Sequence, residues 1–216
     1  LHRERERLVH ERTGHVTRIK SLLALIGQKL GNVRHLTKVM SKLPERLGAE
    51  AERELVRLKL VDEQIEELAK QRAEAVKQRK LPSADKMELL ENLKAIGPIA
   101  SEVLVTELFA WRKFENGRQV ASCAGSAPSP YSSGKTEREQ GISKAGNRRV
   151  RTLCVEVAWA WVRYQPQTAL SEWFTRRFAK GGSRSRRLGI TALARKLVVA
   201  LWRYVEAGVV PPGALM

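Results

Sequence analysis

The sequence predicts a mainly α-helical protein, with a long antiparallel helical hairpin or coiled coil followed by a compact helical domain that contains a helix-hairpin-helix. Two observations support this class. Apolar residues recur every three or four positions over much of the first 82 residues, as they do on one face of a helix. The chain has 216 residues and is 43% hydrophobic, so it can bury a core, and no uncharged apolar run approaches the roughly eighteen residues that a membrane-spanning helix needs.

Residues 1–82 are predicted to form two helices that act as a helical hairpin or coiled-coil linker. The second helix runs from Glu45 to about Lys80 and is about 50 Å long at 1.5 Å per residue. Pro44 lies in the short segment between the two helices, so they can pack antiparallel, and the same faces can pair between protomers. We therefore expect a homo-oligomer through this region. A helical stalk without chemistry is the alternative.

A domain boundary is predicted at Leu81–Asp85, because Pro82 ends a helical pattern and the next residues favour a helix start. Residues 83–216 then form the second domain. At about residues 85–111 the pattern is a helix, a tight Gly97-Pro98 turn and a second helix, as in a helix-hairpin-helix whose turn amides contact a DNA phosphate. The first of the two usual glycines is Ala95 here, so a purely structural helical corner is the alternative.

The charge balance points to nucleic acid. The chain carries 40 Lys and Arg against 23 Asp and Glu, and the excess is concentrated in residues 118–216, with 17 basic and 5 acidic side chains. Only two aspartates and two cysteines are present, and the four histidines lie near the start, so neither a two-metal nuclease centre nor a zinc site is expected. The first residues lack a signal-peptide pattern, and we expect a cytoplasmic protein with no membrane partner.

The residues between Gly125 and Lys135 are rich in glycine, proline and serine and are predicted to be a loop without strand pairing, followed by a helix. Cations cluster where that helix begins, at Lys144, Arg148, Arg149 and Arg151. An electropositive helix start can hold a phosphate, and a serine facing it would find cations that lower its pKa and stabilise the transition state. From composition alone, the serines are more simply explained as turn residues.

A second basic cluster spans residues 176–187 and is predicted to be a flexible loop that binds a DNA or guide-RNA backbone through Arg184, Arg186 and Arg187. A merely solvated basic loop is the alternative. Several aromatic residues accompany this cluster, and their helical spacing favours the core over stacking on unpaired bases. They are Trp159, Trp161, Trp173, Phe174 and Trp202.

Several motifs in order resemble a bacterial insertion-sequence transposase family. They are the string PSPYSSG at residues 128–134, residues 141–147 with Arg151, and the helical runs at 158–166, 171–174 and 192–204. Residues 1–13 are similar to the segment where the RuvC-like domain of that family passes into its coiled coil. Members join an acidic RuvC-like domain to a serine-bearing transposase domain. Some are guided by a bridge RNA, and the Piv-type DNA invertases are relatives.

The resemblance implies a DNA recombinase whose serine attacks a DNA phosphate, while Mg²⁺ is bound by carboxylates of the RuvC-like domain. The nucleophile falls on Ser133, with Ser132 as the fallback. The expected partners are DNA, at the element ends and the target, and a guide RNA. Since residue 1 corresponds to the end of the RuvC-like domain, we expect a truncated member that holds no cofactor itself.

Contacts to the nucleic-acid backbone are expected from residues of the helical turn, the serine loop and the two basic clusters. They are Gly97, Lys135, Lys144, Asn147, Arg148, Arg149, Arg151, Arg184, Arg186 and Arg187. The alternative function is a non-catalytic DNA- or RNA-binding and assembly module.

Overall fold

The computed structural model describes residues 1–29, 43–81, 83–133 and 136–216, and for residues 129–140 it describes the backbone alone. Residues Leu1–Gln78 and Arg79–Met216 form two compact units. Most described residues are helical, so the predicted mainly α class is confirmed. Within the described residues, none of the helices combines the length and the apolar character needed to cross a membrane.

The first unit is a pair of helices, α1 (His2–Ala24) and α2 (Glu45–Lys77). They run antiparallel, since Arg12 near the middle of α1 pairs with Asp62 at 2.6 Å, while Arg18, further along α1, pairs with the earlier Glu54 at 3.0 Å. The apolar face predicted from the sequence forms their shared core. Its buried members are Ile19, Leu22, Leu23, Leu43, Ala51 and Leu58.

A buried carboxylate joins the two helices. Glu54 accepts a hydrogen bond from His15 Nδ1 at 2.6 Å, and Arg18 and Arg57 also donate to it. The hydrogen bond from His15 and the two guanidinium groups outweigh the opposing effect of burial and lower the pKa of Glu54 to about 2. Glu54 is therefore ionised in the folded unit at all ordinary pH values.

The second unit contains six helices and a strand pair among its described residues. In chain order the elements are α3 (Ala84–Glu91), α4 (Pro98–Leu104) with a π-helical turn (Val105–Phe109), α5 (Gly117–Cys123), β1 (Pro128–Ser133), β2 (Thr136–Ile142), α6 (Arg148–Tyr164), α7 (Ala169–Phe174) with a second π-helical turn (Thr175–Ala179), and α8 (Ser183–Ala207). Helices α6 and α8 pack against each other at the centre, and α5 packs on α8. The surfaces left around them carry the predicted functional residues.

The prediction of an unpaired loop around Ser133 is wrong. Strands β1 and β2 pair antiparallel, with Ser133 opposite Thr136 and Pro128 opposite Ile142, and the register shifts between Pro128 and Pro130. Proline has no amide hydrogen to donate, but it is tolerated in an edge strand or at a bulge, and a two-stranded ribbon has only edges. The sequence pattern concealed the strands because the prolines, serines and glycine read as turn residues.

The arginine-rich segment is also not the flexible loop that the sequence predicted. Arg184, Arg186 and Arg187 lie at the start of α8, and Arg176 and Arg177 lie in the second π-helical turn. The glycines here permit close packing: a Cβ on Gly189 would overlap the ring of Phe178, and one on Gly181 would overlap the side chain of Ser185. The arginines are therefore carried on helical backbone.

The predicted core aromatics divide into two groups. Trp161 and Phe174 are buried, and the indole of Trp161 donates a 2.9 Å hydrogen bond to Thr168. Trp159 is exposed, and Trp173 and Trp202 are half-buried, so these three lie at the edge of the core. Cys154 is buried, as a small apolar residue would be, whereas Cys123 is half-buried.

Candidate catalytic hairpin and nucleic-acid interface

The strand pair places Ser133 at the last position of β1, beside the connection to β2. Ser132 precedes it and is paired with Glu137. The structure describes these two serines by their backbone alone. Their side chains, like Gly134 and the predicted contact residue Lys135, lie outside the described part of the structure.

The base of this hairpin is fixed by a close crossing of two backbone segments at Gly125 and Gly146. A Cβ on Gly146 would overlap the carbonyl oxygen of Cys123 and the amide nitrogen of Gly125. Gly125 has φ +65°, a conformation that favours glycine, and a Cβ there would overlap Arg151. No other residue type fits at either position without moving the crossing.

Hydrogen bonds tie the same two segments together. The amide of Ser143 donates to the carbonyl of Ala127 at 2.8 Å, and the amide of Asn147 donates to the carbonyl of Cys123 at 2.7 Å. The guanidinium of Arg151 donates to the carbonyl of Lys144 at 3.0 Å, where the backbone turns with φ +58°. Backbone on both sides of the crossing therefore defines where β1 begins and β2 ends.

Asn147 joins this crossing to the rest of the unit. Its side-chain oxygen caps α6 by accepting hydrogen bonds from the amides of Arg149 and Val150 at 2.9 and 3.2 Å. Its side-chain nitrogen donates to Glu107, in the first π-helical turn, at 2.9 Å. Both polar ends of the Asn147 side chain thus have partners within the protein, whereas the sequence predicted it as a nucleic-acid contact.

The structure places four of the predicted cations at the hairpin base. The side chains of Lys144, Arg148 and Arg149 are exposed beside the start of α6, while that of Arg151 is half-buried. Ser133 lies five residues along β1 from Pro128, which is about 17 Å at the usual rise of a strand. The backbone of Ser133 thus lies away from the hairpin base, beside which these cations are found.

The helical turn predicted to contact phosphate joins α3 to α4. Gly97 is the residue before α4, whose first residue is Pro98, and Ala95 has φ +84°, so it occupies the position where two-glycine hairpins have a glycine. Part of the turn backbone is already bonded, since Lys94 donates its amide to the carbonyl of Leu215 at 3.0 Å and accepts from the buried Gln165. Gly97 remains a predicted contact.

Two buried residues that make hydrogen bonds near the site, Glu107 and Gln165, were not predicted from the sequence. Glu107 is 5% exposed and holds Asn147, and Gln165 links Lys94 to Leu215 by also accepting from the amide of Leu215 at 2.7 Å. A signal for Glu107 existed, because a lone carboxylate inside the apolar run of residues 103–109 needs a buried partner. The identity of that partner, 40 residues away, was not readable from the pattern.

The described residues contain no group of three or more His, Cys, Asp and Glu side chains placed to hold a metal ion. The Mg²⁺ that the resemblance implies therefore finds no ligand set in the part of the chain that the structure describes.

Comparison with known proteins finds one matching family model and several relatives, all described as transposases. Residues 87–172 match the model of a family described as Transposase IS116/IS110/IS902 family. The chain is 42% identical over its whole length to a Sinorhizobium fredii protein with the provisional name transposase y4rJ, covering 59% of that protein. It is 28% identical, over 97% of the chain and 63% of the relative, to the transposase for insertion sequence element IS1328 of Yersinia enterocolitica.

A further relative is the transposase for insertion sequence element IS1111A of Coxiella burnetii, which is 27% identical over 74% of the chain and 45% of its own length. The chain thus spans less than two thirds of each of these relatives.

Proposed function

Because residues 87–172 match the model of the IS116/IS110/IS902 transposase family, we propose that the chain acts on DNA during insertion-sequence transposition, with Ser133 as the nucleophile that cleaves the strand. The observation that carries the proposal is the position of Ser133 at the end of a strand pair whose base is fixed by the Gly125–Gly146 crossing. A hydroxyl carried at the far end of an anchored hairpin can reach a DNA backbone that the body of the domain does not enclose.

The reaction is a phosphoryl transfer. The Ser133 oxygen bonds to phosphorus, one bridging P–O bond of the DNA breaks, and the departing sugar oxygen gains a proton while the serine loses one. The product is a phosphoserine diester to one DNA end, which keeps the energy of the broken bond for rejoining. Ser132, the preceding residue of β1, is the alternative nucleophile.

The exposed cations hold the nucleic-acid backbone. The hairpin base, beside which Lys144, Arg148 and Arg149 lie, is about 17 Å along β1 from the backbone of Ser133, and phosphates in one DNA strand recur about every 3.4 Å along the helix axis. These side chains therefore contact the backbone about five phosphates from the cleaved one. Arg184, Arg186 and Arg187 extend the basic surface, and a guide RNA is a second ligand for the same cations, since phosphate contacts do not distinguish RNA from DNA.

The first unit supports assembly of more than one protomer. Val56 and Leu60 on α2 are 67% and 55% exposed although they lie one helical turn apart on the same face. An apolar pair left uncovered by α1 suits a helix from a second copy. Pairing of two copies would supply two serine hairpins, each formed by β1 and β2, to one DNA substrate.

A covalent-trapping experiment tests the nucleophile. The full chain is incubated with a DNA duplex that carries a bridging phosphorothiolate at each insertion-sequence end, and adducts are resolved on a denaturing gel. We expect an adduct that Ser133→Ala abolishes and Ser132→Ala retains, while both variants bind the duplex as the parent chain does. An adduct that survives Ser133→Ala and disappears with Ser132→Ala would assign the fallback residue instead.

A non-catalytic DNA- or RNA-binding and assembly module is the second candidate. It is favoured by the length of β1, which puts the backbone of Ser133 about 17 Å from the hairpin base where the cations lie, because a phosphoryl-transfer serine needs positive charge beside it. Under this function, neither serine substitution changes any DNA transaction, and transposition of a marked element in cells is unaffected by Ser133→Ala.

A further inference from the structure

A groove of about 1010 Å³ runs along one face of α8 in the second unit. Its long wall is a stripe of α8 residues from Leu188 to Arg203, and its opposite wall includes Leu170, Trp173 and the segment Val209–Pro212 that follows α8. The base of the serine hairpin and the start of α5 form one end. The groove therefore lies beside the hairpin but consists of different residues from the proposed nucleophile.

The charge along the groove has a single sign. Five cationic side chains line it, and none of the described residues that line it is Asp or Glu. The cations are Arg118, Lys144, Arg195, Lys196 and Arg203. An occupant of this groove must therefore carry negative charge at its edges.

Both walls of the groove carry aliphatic side chains that are open to solvent. Leu188 is 62% exposed, and Val209 and Val210 are 54% and 41% exposed. Together with Leu170 and Val199 they give a continuous apolar strip between the cations. Contiguous exposed apolar surface of this kind with a polar rim marks a site for another macromolecule.

The apolar strip is poorly suited to binding unpaired nucleic acid. Single strands bind by stacking their bases on aromatic faces, and Trp173 is the one aromatic residue among the described lining residues. Its ring already has Lys196 Nζ 4.9 Å from the centroid and the Phe178 ring 5.5 Å away. Leucine and valine instead match the aliphatic side chains that one face of an amphipathic helix presents.

The length of the wall sets the size of the occupant. Leu188 and Arg203 are four helical turns apart on α8, or about 22 Å. A partner helix of about 15 residues has the same length and can present apolar side chains at each turn.

We propose that this groove docks an acidic amphipathic helix of a polypeptide partner, with the apolar face of the helix on the Leu188–Val210 strip and its carboxylates against the five cations. The docking is independent of Ser133 and of DNA cleavage. It gives the second unit a protein-binding surface next to its nucleic-acid surface, with Lys144 common to both.

Fluorescence anisotropy with the full chain tests the proposal. The probe is a labelled peptide of about 16 residues with leucines at helical spacing and glutamates on both flanks. A sister peptide has glutamine at every glutamate position. We expect the acidic peptide to bind about tenfold more tightly than the glutamine peptide, and the double variant Leu188→Ser/Val210→Ser to weaken binding of the acidic peptide by about tenfold or more. Leu188 is 62% exposed and Val210 is 41% exposed, so neither belongs to the buried core and we expect the fold to be retained.

Matched controls separate docking from general stickiness and charge. Ile99→Ser removes an exposed apolar side chain outside the groove and should leave peptide binding unchanged. Arg195→Ala/Lys196→Ala should weaken binding, whereas Arg184→Ala/Arg187→Ala, outside the groove, should have a much smaller effect. Equal binding of the two peptides, or no effect of the Leu188 and Val210 substitutions, would overturn the proposal. The proposal would also be overturned if the Leu188 and Val210 substitutions weakened the binding of a labelled single-stranded oligonucleotide but not the binding of the peptide.

Discussion

The side-chain nitrogen of Asn147 donates a 2.9 Å hydrogen bond to Glu107, although the two residues are 40 positions apart in the sequence. This bond links the first π-helical turn to the cap of α6 and so to the base of the serine hairpin. Single π turns inside helices recur at functional sites, and here the turn presents a buried carboxylate to the residue that positions the hairpin.

Replacing Asn147 by alanine should destabilise the second unit by about 2 to 3 kcal/mol, because α6 loses its cap and Glu107 loses a buried partner. Asn116→Ala is the matched control. Asn116 caps α5 through the amides of Arg118 and Gln119 at 3.0 and 3.1 Å, and its loss should be worth about 1 kcal/mol. Urea unfolding of the two variants measures the difference, and equal losses would show that the Glu107 bond contributes nothing.

Gly146→Ala should be among the most damaging single substitutions in the second unit, with a loss of more than about 3 kcal/mol. The new methyl group would overlap backbone atoms of Ser122, Cys123 and Gly125, which are held in the crossing. Gly48→Ala provides a contrast, because that glycine lies within α2 with only ordinary contacts, and alanine there should stabilise the first unit by about 0.5 to 1 kcal/mol. Thermal unfolding followed by circular dichroism distinguishes the two signs.

Ala95→Gly should stabilise the chain by about 1 kcal/mol. Ala95 has φ +84°, a region that is strained for a residue with a Cβ and relaxed for glycine. The gain is reduced by the greater freedom of glycine in the unfolded chain. Ala100→Gly, within the regular helix α4, should have the opposite effect. A loss of stability with Ala95→Gly would mean that the turn does not hold this backbone conformation in solution.

The stability of the first unit should fall as the pH drops from about 4.5 to about 2. Glu54 has a pKa lowered to about 2 in the folded state, chiefly by its hydrogen bond with His15 and by Arg18 and Arg57, and a pKa near 4.5 when unfolded. A depressed folded pKa means that its contribution is complete above the unfolded value and is lost on acidification through the folded one. Acid unfolding of the parent chain and of Glu54→Gln should therefore converge at low pH.

The salt dependence of DNA binding reports on the arginines of α8. Arg186→Ala/Arg187→Ala should lower the slope of log K against log salt concentration by about two units, since each phosphate contact releases about one counterion. Filter binding or anisotropy between about 50 and 200 mM salt measures the slope. If the slope stays constant while the affinity changes, these arginines contact something other than phosphate.

The spacing of apolar residues predicted the helices of the first unit. Local backbone conformation that depends on contacts between residues distant in the sequence could not be predicted. The repeating apolar residues of α1 and α2 identified both helices and their shared face, because burial on one side of a helix imposes that spacing. The strands next to Ser133 were hidden, since their pairing depends on backbone anchored by Gly125 and Gly146, twenty-one positions apart. Arg184 to Arg187 read as a loop because Gly181 signalled flexibility where it actually permits close packing.

The candidate site was predicted only in part, for a related reason. Sequence motifs located Ser133 and the cations near Lys144, but their distance depends on whether the intervening residues form a compact loop or a strand pair. The partner of Asn147 depends on the placement of the first π-helical turn against α6, which no local pattern contains.

Because contacts outside β1 and β2 fix the base of the serine hairpin, the hairpin can be lengthened without changing that base. The crossing and its hydrogen bonds involve only residues before Pro128 and after Ile142, so residues added within the strands leave them intact. Inserting two residues in each strand moves the tip outward by about 7 Å and keeps every side chain on its original face, because strand residues alternate with a period of two. Reach can thus be tuned in regular steps without redesigning the domain that carries it.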